Sequence, residues 1–263
     1  MKKFFALLMA VMMLTVALTG CGAGNTDTTD ASENGADTKV ITVATNAYFP
    51  PYEFYDDNNE IVGIDMEIMQ LICNKLGYEM KIEDMEFDTI IAAVQSGKAQ
   101  VGAAGMTVTE DRLLEVNFSD TYTTAKQVII VPEDSAIKSA DDLTDKKIGV
   151  QLGTTGDIYI SGDVEDGLYG NATVEQYQNG ITAVQALSQG KIDAVIIDNE
   201  PAKVFVEQNE GLKILEAEYI EEEYAFAIAK DNTELLDEIN ATLADITASG
   251  ELQAIVDKYI TAE

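Results

Sequence analysis

Histidine is absent from the 263-residue chain, and arginine occurs once, as Arg112. Without histidine there is no Ser-His-Asp or Cys-His catalytic pair and no histidine metal site, and no metal or cofactor is expected. Positive charge is scarce overall: 16 lysine and arginine residues stand against 47 aspartates and glutamates, a net charge of −31. So acidic a chain is a poor candidate for binding nucleic acid or an anionic bilayer directly. Cysteine occurs only as Cys21 and Cys73. Cys73 falls among Ile68, Met69, Ile72 and Leu76 at helical spacing, which predicts a buried core thiol rather than a reactive one.

Large apolar side chains are missing from residues 22–38, which consist of small, polar and acidic residues. That stretch cannot bury a core and is expected to be a flexible tether reaching roughly 20–25 Å. Ahead of it, Lys2 and Lys3 precede an apolar run over 4–18, followed by Leu18-Thr19-Gly20-Cys21. A charged start, an apolar stretch and small residues before a cut define a secretory leader, and the run is short for a membrane span. The Leu-Thr-Gly-Cys box resembles a bacterial lipoprotein signal. That resemblance implies cleavage after residue 20, lipidation (palmitate) of the Cys21 thiol and residence on the extracytoplasmic face of the cell membrane. An ordinary secretory leader ending near a cysteine is the alternative. Removing the leader would leave 14 basic residues against 47 acidic ones, a net charge of −33. With Cys21 lipidated, no intrachain disulfide is expected.

From residue 39 onward the pattern alternates between strand and helix. Strands are predicted at 40–45, 79–83, 101–104, 127–131, 147–151, 173–177, 192–197, 212–215 and, as one element, 224–229. Helices are predicted between them. Asp65 is expected to cap one that stops at Gly77, and others should follow Phe87, the Gly153-Thr154-Thr155-Gly156 turn, Asn179 and Pro201. Two more helices, split by Gly250, close the chain. Alternating units of this kind argue for two lobes, each a sheet flanked by helices.

Arg112 sits in Gly105-Met106-Thr107-Val108-Thr109-Glu110-Asp111-Arg112. A planar five-donor guanidinium suits a carboxylate or phosphate held bidentately, which lysine cannot copy. Thr107 and Glu110 have the spacing of a capping box, so a helix is expected to start at Thr107 with its free N–H groups near Gly105. Those donors and the guanidinium could converge on one small anion.

Four segments occur in order across the chain: Phe-Pro-Pro-Tyr-Glu-Phe (49–54) then Val-Gly-Ile-Asp (62–65); the Arg112 motif then Asn-Phe-Ser-Asp-Thr-Tyr (117–122); Ile-Gly-Val-Gln-Leu-Gly-Thr-Thr-Gly (148–156); and Lys-Ile-Asp-Ala-Val-Ile-Ile-Asp (191–198). Together they resemble the family-3 extracellular solute-binding proteins, the amino-acid-binding components of ABC importers. The resemblance implies an α/β fold of the two-lobe, type II periplasmic-binding-protein (Venus-flytrap) kind, with two hinge-crossing strands near 123–128 and 222–226. Lobe 1 would comprise 39–124 with 224–263, and lobe 2 would be 125–223. It implies a monomer that captures a free polar amino acid in the cleft and delivers it to membrane permease subunits, with no chemistry. A secreted dehydratase or a ligand sensor on the same fold is the alternative.

Carried over by motif, Arg112 would grip the ligand's α-carboxylate, with Thr107 and the Gly105 backbone touching the carboxylate and ammonium. Thr154 and Thr155 would add donors from a helix N-terminus in the other lobe, and Asp198 would pair with the ammonium. A desolvated zwitterion does need both grips. Phe49 and Phe87 would flank the ligand side chain, although aromatic residues also commonly fill cores. Asn46 stands where relatives that take basic amino acids often carry an acid; a neutral amide suits a polar uncharged side chain better without excluding a basic one.

Overall fold

The computed structural model describes residues 39–215 and 219–260. The expected leader (1–20), the lipidation site Cys21 and the tether to residue 38 lie outside the described residues.

Strand β1 (Val40–Thr45) is β-branched almost throughout and buried over its second half, as befits a central strand covered on both faces. A small antiparallel sheet follows, made of β2 (Tyr48–Phe49), β3 (Glu53–Tyr55) and β4 (Ile61–Val62). Helix α1 (Ile64–Leu76) buries Ile64, Ile68, Met69, Ile72 and Cys73, so the cysteine is indeed a core residue. Gly77 ends it at φ 72°, with Tyr78 N–H returning to Cys73 O at 2.8 Å, a left-handed cap that a side chain would strain.

The start of α1 differs from expectation, because Gly63 and not Asp65 occupies the capping position. The carbonyls of Pro51 and Tyr52 accept the N–H groups of Ile64 and Asp65 at 3.0 Å each. Backbone oxygens from the preceding loop therefore satisfy the orphan donors, and the Asp65 carboxylate is released for a distant partner.

Strand β5 (Glu79–Asp84), helix α2 (Ile90–Gln95), β6 (Val101–Gly102), helix α3 (Glu110–Glu115) and β7 (Asn117–Phe118) continue the first half. The long β8 (Thr123–Pro132) leads into β9 (Lys147–Gln151), α4 (Thr155–Glu165), β10 (Thr173–Tyr177), α5 (Gly180–Ser188), β11 (Ala194–Asp198), α6 (Asn199–Gln208) and β12 (Leu212–Ile214). Then come β13 (Ile220–Tyr224), β14 (Ala227–Ile228), α7 (Thr233–Ser249) and α8 (Glu251–Tyr259).

Besides the small sheet, two larger sheets result, one for each lobe. The first has the order β5-β1-β6-β14-β7, and the second β10-β9-β11-β8-β12, with β13 paired to β8. Strands β5, β1 and β6 run parallel, as do β10, β9 and β11, while β14 and β8 are antiparallel to their neighbours. The expected single strand over 224–229 is in fact two. Strand β13 ends at Tyr224 in the second sheet, and β14 starts at Ala227 in the first. Between them Ala225 and Phe226 are fully buried and carry the chain across. Strand β8 crosses beside it, with Thr123 opposite Tyr224 and Ala125 opposite Glu222.

The C-terminal helix α7 turns Leu235, Ile239, Leu243 and Ile246 inward, and both α7 and α8 lie against α1. Gly250 separates them at φ 81°. Among the described residues no helix is long and apolar enough to cross a membrane.

Gly63 joins the small sheet to α1 at φ 134°, where a Cβ would sit 2.1 Å from Tyr52 O. Gly63→Ala is expected to lose more than ~2 kcal/mol of stability in urea unfolding, from left-handed strain and a backbone clash together. Gly97→Ala, at φ 72° with open space around it, should lose only about 1 kcal/mol.

Candidate functional site

A narrow, largely filled cavity of about 10 Å³ lies where the two lobes meet. Its walls follow the carboxyl ends of parallel strands, where open α/β sheets leave room for ligands. Asn46 follows β1; Ala104, Gly105 and Thr107 follow β6; Gln151 ends β9; Asp198 ends β11. All nine residues singled out from sequence (Asn46, Phe49, Phe87, Gly105, Thr107, Arg112, Thr154, Thr155 and Asp198) line this single cavity. Glu53, Ala104 and Gln151 line it as well and were not foreseen.

Arg112 is buried, 6 % exposed. Its Nη1 donates to Thr107 O at 2.7 Å, and its Nη2 reaches across the cleft to Gly153 O at 3.0 Å. The guanidinium carbon lies 5.4 Å from the Phe87 ring centroid, within cation–π range. Among the described residues no carboxylate stands at ion-pair distance from it. Burial pulls the guanidinium pKa down, opposed by the charges of Glu222 and Asp198. A desolvated cation held by two carbonyls retains N–H donors for an anion.

The helix beside Arg112 starts later than the Thr107–Glu110 spacing suggested. Thr109 is the cap and accepts Arg112 N–H at 3.2 Å. Thr107 is still extended, bridging to Tyr224, and Val108 N–H bonds Glu223 O at 3.2 Å. Cross-strand pairing at 107 and 108 outcompetes the local box. The Thr107 hydroxyl donates instead to Glu222 Oε2 at 3.0 Å. Gly105 adopts φ 53°, and a Cβ there would sit 3.0 Å from Phe49 Cε1, so only glycine fits. Its N–H is taken by the Asp65 carboxylate at 2.9 Å, which leaves its carbonyl as the group it can offer a ligand.

In the second lobe, Thr154 caps α4, and its hydroxyl donates to Gln151 O at 2.8 Å. Thr155 and Gly156 are the first helical residues, whose N–H groups have no partner within the helix and suit an anion. Buried Asp157 fixes this turn by accepting Gly153 N–H at 2.9 Å and Gln176 Nε2 at 2.9 Å.

The remaining polar groups are mostly acceptors. Asn46 Nδ2 donates to Met85 O at 2.8 Å, which turns its oxygen inward to accept from Gln151 Nε2 at 3.0 Å across the cleft. Glu53 Oε2, Gln151 Oε1, Gln127 Oε1 and Glu222 Oε1 are buried and have no partner among the described residues. Glu53 is 1 % exposed, and burial, with Asp65 and Asp198 adding repulsion, raises its pKa well above the carboxylate range. Asp198 accepts from the Tyr224 hydroxyl. Burial, then the charge of Glu222, pushes its pKa up to about 7 against the pull of Tyr224 and Gln127. Asp65 is likewise raised to about 7 by burial, although Gly105 N–H and the Tyr122 hydroxyl (2.7 Å) favour its charged form.

A single signal for Glu53 was present in the sequence: an acid inside the aromatic stretch Tyr52-Glu53-Phe54. Nothing local marked Gln151 or Glu222.

Two lobes with crossing strands and a cleft lined at the strand ends define a periplasmic amino-acid-binding type of fold. Residues 41–262 match the family model described as bacterial extracellular solute-binding proteins, family 3, and the chain belongs to that family. It is 36% identical, over the whole of both chains, to the arginine-binding extracellular protein ArtP of Bacillus subtilis strain 168. A solved ancestral arginine-binding protein bound to arginine matches with a TM-score of 0.80 and 40% identity, over 84% of this chain and 98% of that one. An ancestral arginine-binding protein bound to glutamine matches at a TM-score of 0.79 and 40% identity, over 85% and 98%.

Raised carboxyl pKa values make folding take up protons. The contribution of Asp65 and Asp198 to stability is complete below about pH 4 and lost as pH rises through about 7. Ligand-free protein should therefore melt several degrees lower at pH 8 than at pH 5. Asp198→Asn should melt above wild type at pH 8 but not at pH 5, which separates this effect from the general relief of repulsion in an acidic chain. Parallel melting curves for the two proteins at both pH values would refute it.

Proposed function

We propose that this chain is the extracytoplasmic receptor of an ABC importer and captures one amino acid whose side chain is cationic and rich in N–H donors. The observation that carries this reading is the polarity of the cavity. A single buried guanidinium with helix-terminal N–H groups forms an anion grip, whereas the acids Glu53 and Asp198 and the unpartnered oxygens of Glu53 and Gln151 leave a surplus of acceptors. Buried acceptors without donors are costly, about 1–3 kcal/mol each, and a guanidinium or ammonium side chain relieves that.

In this reading Arg112 holds the α-carboxylate bidentately, assisted by Thr155 and Gly156 N–H. Asp198 and the Gly105 carbonyl take the α-ammonium. Phe49 and Phe87 flank the aliphatic stem, and Glu53, Asn46 and Gln151 receive the distal cation. The acid that a basic side chain needs thus comes from Glu53, four residues after the aromatic Phe49, rather than from position 46. The net charge of −31 draws cations towards the cleft at low salt. Naming of the relatives as arginine-binding agrees with this choice.

The lobes would be 39–124 with 224–263 and 125–223, rocking about the paired β8 and β13. Closure would join them through Arg112–Gly153 and Asn46–Gln151, a hinge motion of the binding-protein kind. Cys21 would carry the lipid that keeps the receptor beside its permease, and the body would act as a monomer.

Isothermal titration of the refolded 39–263 body with L-arginine, L-lysine and L-glutamine tests the reading. Arginine should bind at least tenfold more tightly than glutamine, and Glu53→Gln should remove most of that preference while sparing glutamine. Equal affinities in wild type would overturn it. Arg112→Lys should weaken arginine more than tenfold, because a point charge cannot replace the fork. Cys21→Ser should move the protein from the membrane pellet to the culture fluid on cell fractionation; continued sedimentation with membranes would remove the anchor.

A further inference from the structure

Asp198 has a second carboxyl group beside it that the ligand grip does not use. Glu222 sits on β13, the strand that returns through the hinge, and is 5 % exposed. Its Oε2 accepts from Thr107 Oγ1 and from Gln127 Nε2, each at 3.0 Å. Gln127 in turn lies directly opposite Asp198 in the β8–β11 ladder. Glu222 is paired with Ala125, two residues from Gln127 along β8. Side chains two apart on a strand share a face, and so do cross-strand partners. Asp198, Gln127 and Glu222 therefore stand side by side on one face of three adjacent strands. Because the three strands belong to one sheet, this spacing does not depend on whether the lobes are open or closed.

No lysine or arginine pairs with either carboxyl among the described residues. The charged and titratable groups around them are Arg112 from α3, Tyr159 from α4, Tyr52 and Glu53 from the small sheet, and Tyr224 from β13 itself. The cations nearby are Arg112, which has both of its hydrogen bonds on carbonyls, and Lys126 of β8, which lines the groove beside Glu222 with Glu221 and Glu223. Two adjacent buried carboxylates that no lysine or arginine pairs with are a high-energy arrangement, and a proton held on Asp198 relieves it.

We propose that Asp198, with the Glu222 carboxyl set beside it by the sheet, holds a proton when the cleft is empty and releases it to the solvent as the ligand's ammonium arrives. Glu222 is in this view a positioning residue, acting through Asp198 and Thr107 without touching the ligand. The exchange balances: one carboxylic acid becomes a carboxylate, the proton goes to buffer, and the ligand enters with its own charge unchanged. The inference rests on the proposed amino-acid site, and it predicts capture that weakens as pH falls through the range in which Asp198 titrates.

Two measurements test it. In ligand-free protein labelled with γ-13C aspartate, the Asp198 resonance, assigned by its loss in Asp198→Asn, should titrate near pH 7. Glu222→Gln should move that midpoint down by at least one unit and leave Asp65 unmoved. An Asp198 midpoint near 4, or one that Glu222→Gln does not shift, would overturn the pair. Calorimetry with L-arginine in phosphate and in imidazole should then show protons released on binding, with Glu222→Gln releasing about 0.4 fewer per ligand than wild type at pH 7; equal release by the two proteins would overturn the proposal. Heat of binding that is the same in both buffers at pH 6 would refute proton release. If L-arginine gives no heat at all, the choice of ligand is wrong, and the 13C titration alone decides the fate of the pair.

Discussion

The arrangement depends on a buried guanidinium whose two protein partners belong to different lobes. Arg112 binds the carbonyl of Thr107 on its own side and that of Gly153 on the other. Carbonyls orient the group but do not neutralise it, so its charge remains available inside a low-dielectric cleft. A bidentate carboxylate there is worth far more than on the surface, because little solvent competes. The same two bonds make the closed arrangement contingent on that residue. A ligand carboxylate bound to Arg112 would stabilise closure directly.

The rest of the cleft is the complement of that one cation. Buried acids outnumber it, with Glu53, Asp65, Asp198 and Glu222 all at most 5 % exposed. The carboxyls of Asp65, Asp198 and Glu222 are held by hydroxyls, amides and backbone N–H groups rather than by lysine or arginine, and desolvation keeps the pKa values of Glu53, Asp65 and Asp198 high. Burying acids costs stability, a common trade where a site's polarity matters more than its fold's stability. Small residues make the geometry possible. Gly105 lets the backbone pass against Phe49 and Tyr224, and at Gly153 a Cβ would sit 3.0 Å from the Cβ of Asp88 in the opposite lobe.

The strand ends explain why so many separate segments meet. Parallel strands β1, β6, β9 and β11 all point their carboxyl ends at the cleft, so the residue following each is delivered there whatever the spacing in sequence. Beneath them, β8 and β13 tie the two sheets together and bring Glu222 behind Thr107 and beside Asp198.

Elements with a local cause were legible in the chain itself. The apolar period of α1, the glycine stops at 77 and 250, the buried cysteine and the Thr154 turn are written in spacing and backbone preference. The lone arginine pointed to an anion grip because no other residue could serve. What failed locally failed to long-range competition. Thr107 lost its capping role to a bridge with Tyr224, Asp65 was displaced by the Pro51 and Tyr52 carbonyls, and the strand at 224–229 broke where the chain changes sheets. The roles of Glu53, Gln151 and Glu222 were decided by tertiary structure alone. Whether a carboxylate is solvated or buried beside another depends on which strands become neighbours, and that adjacency joins residues far apart in the chain.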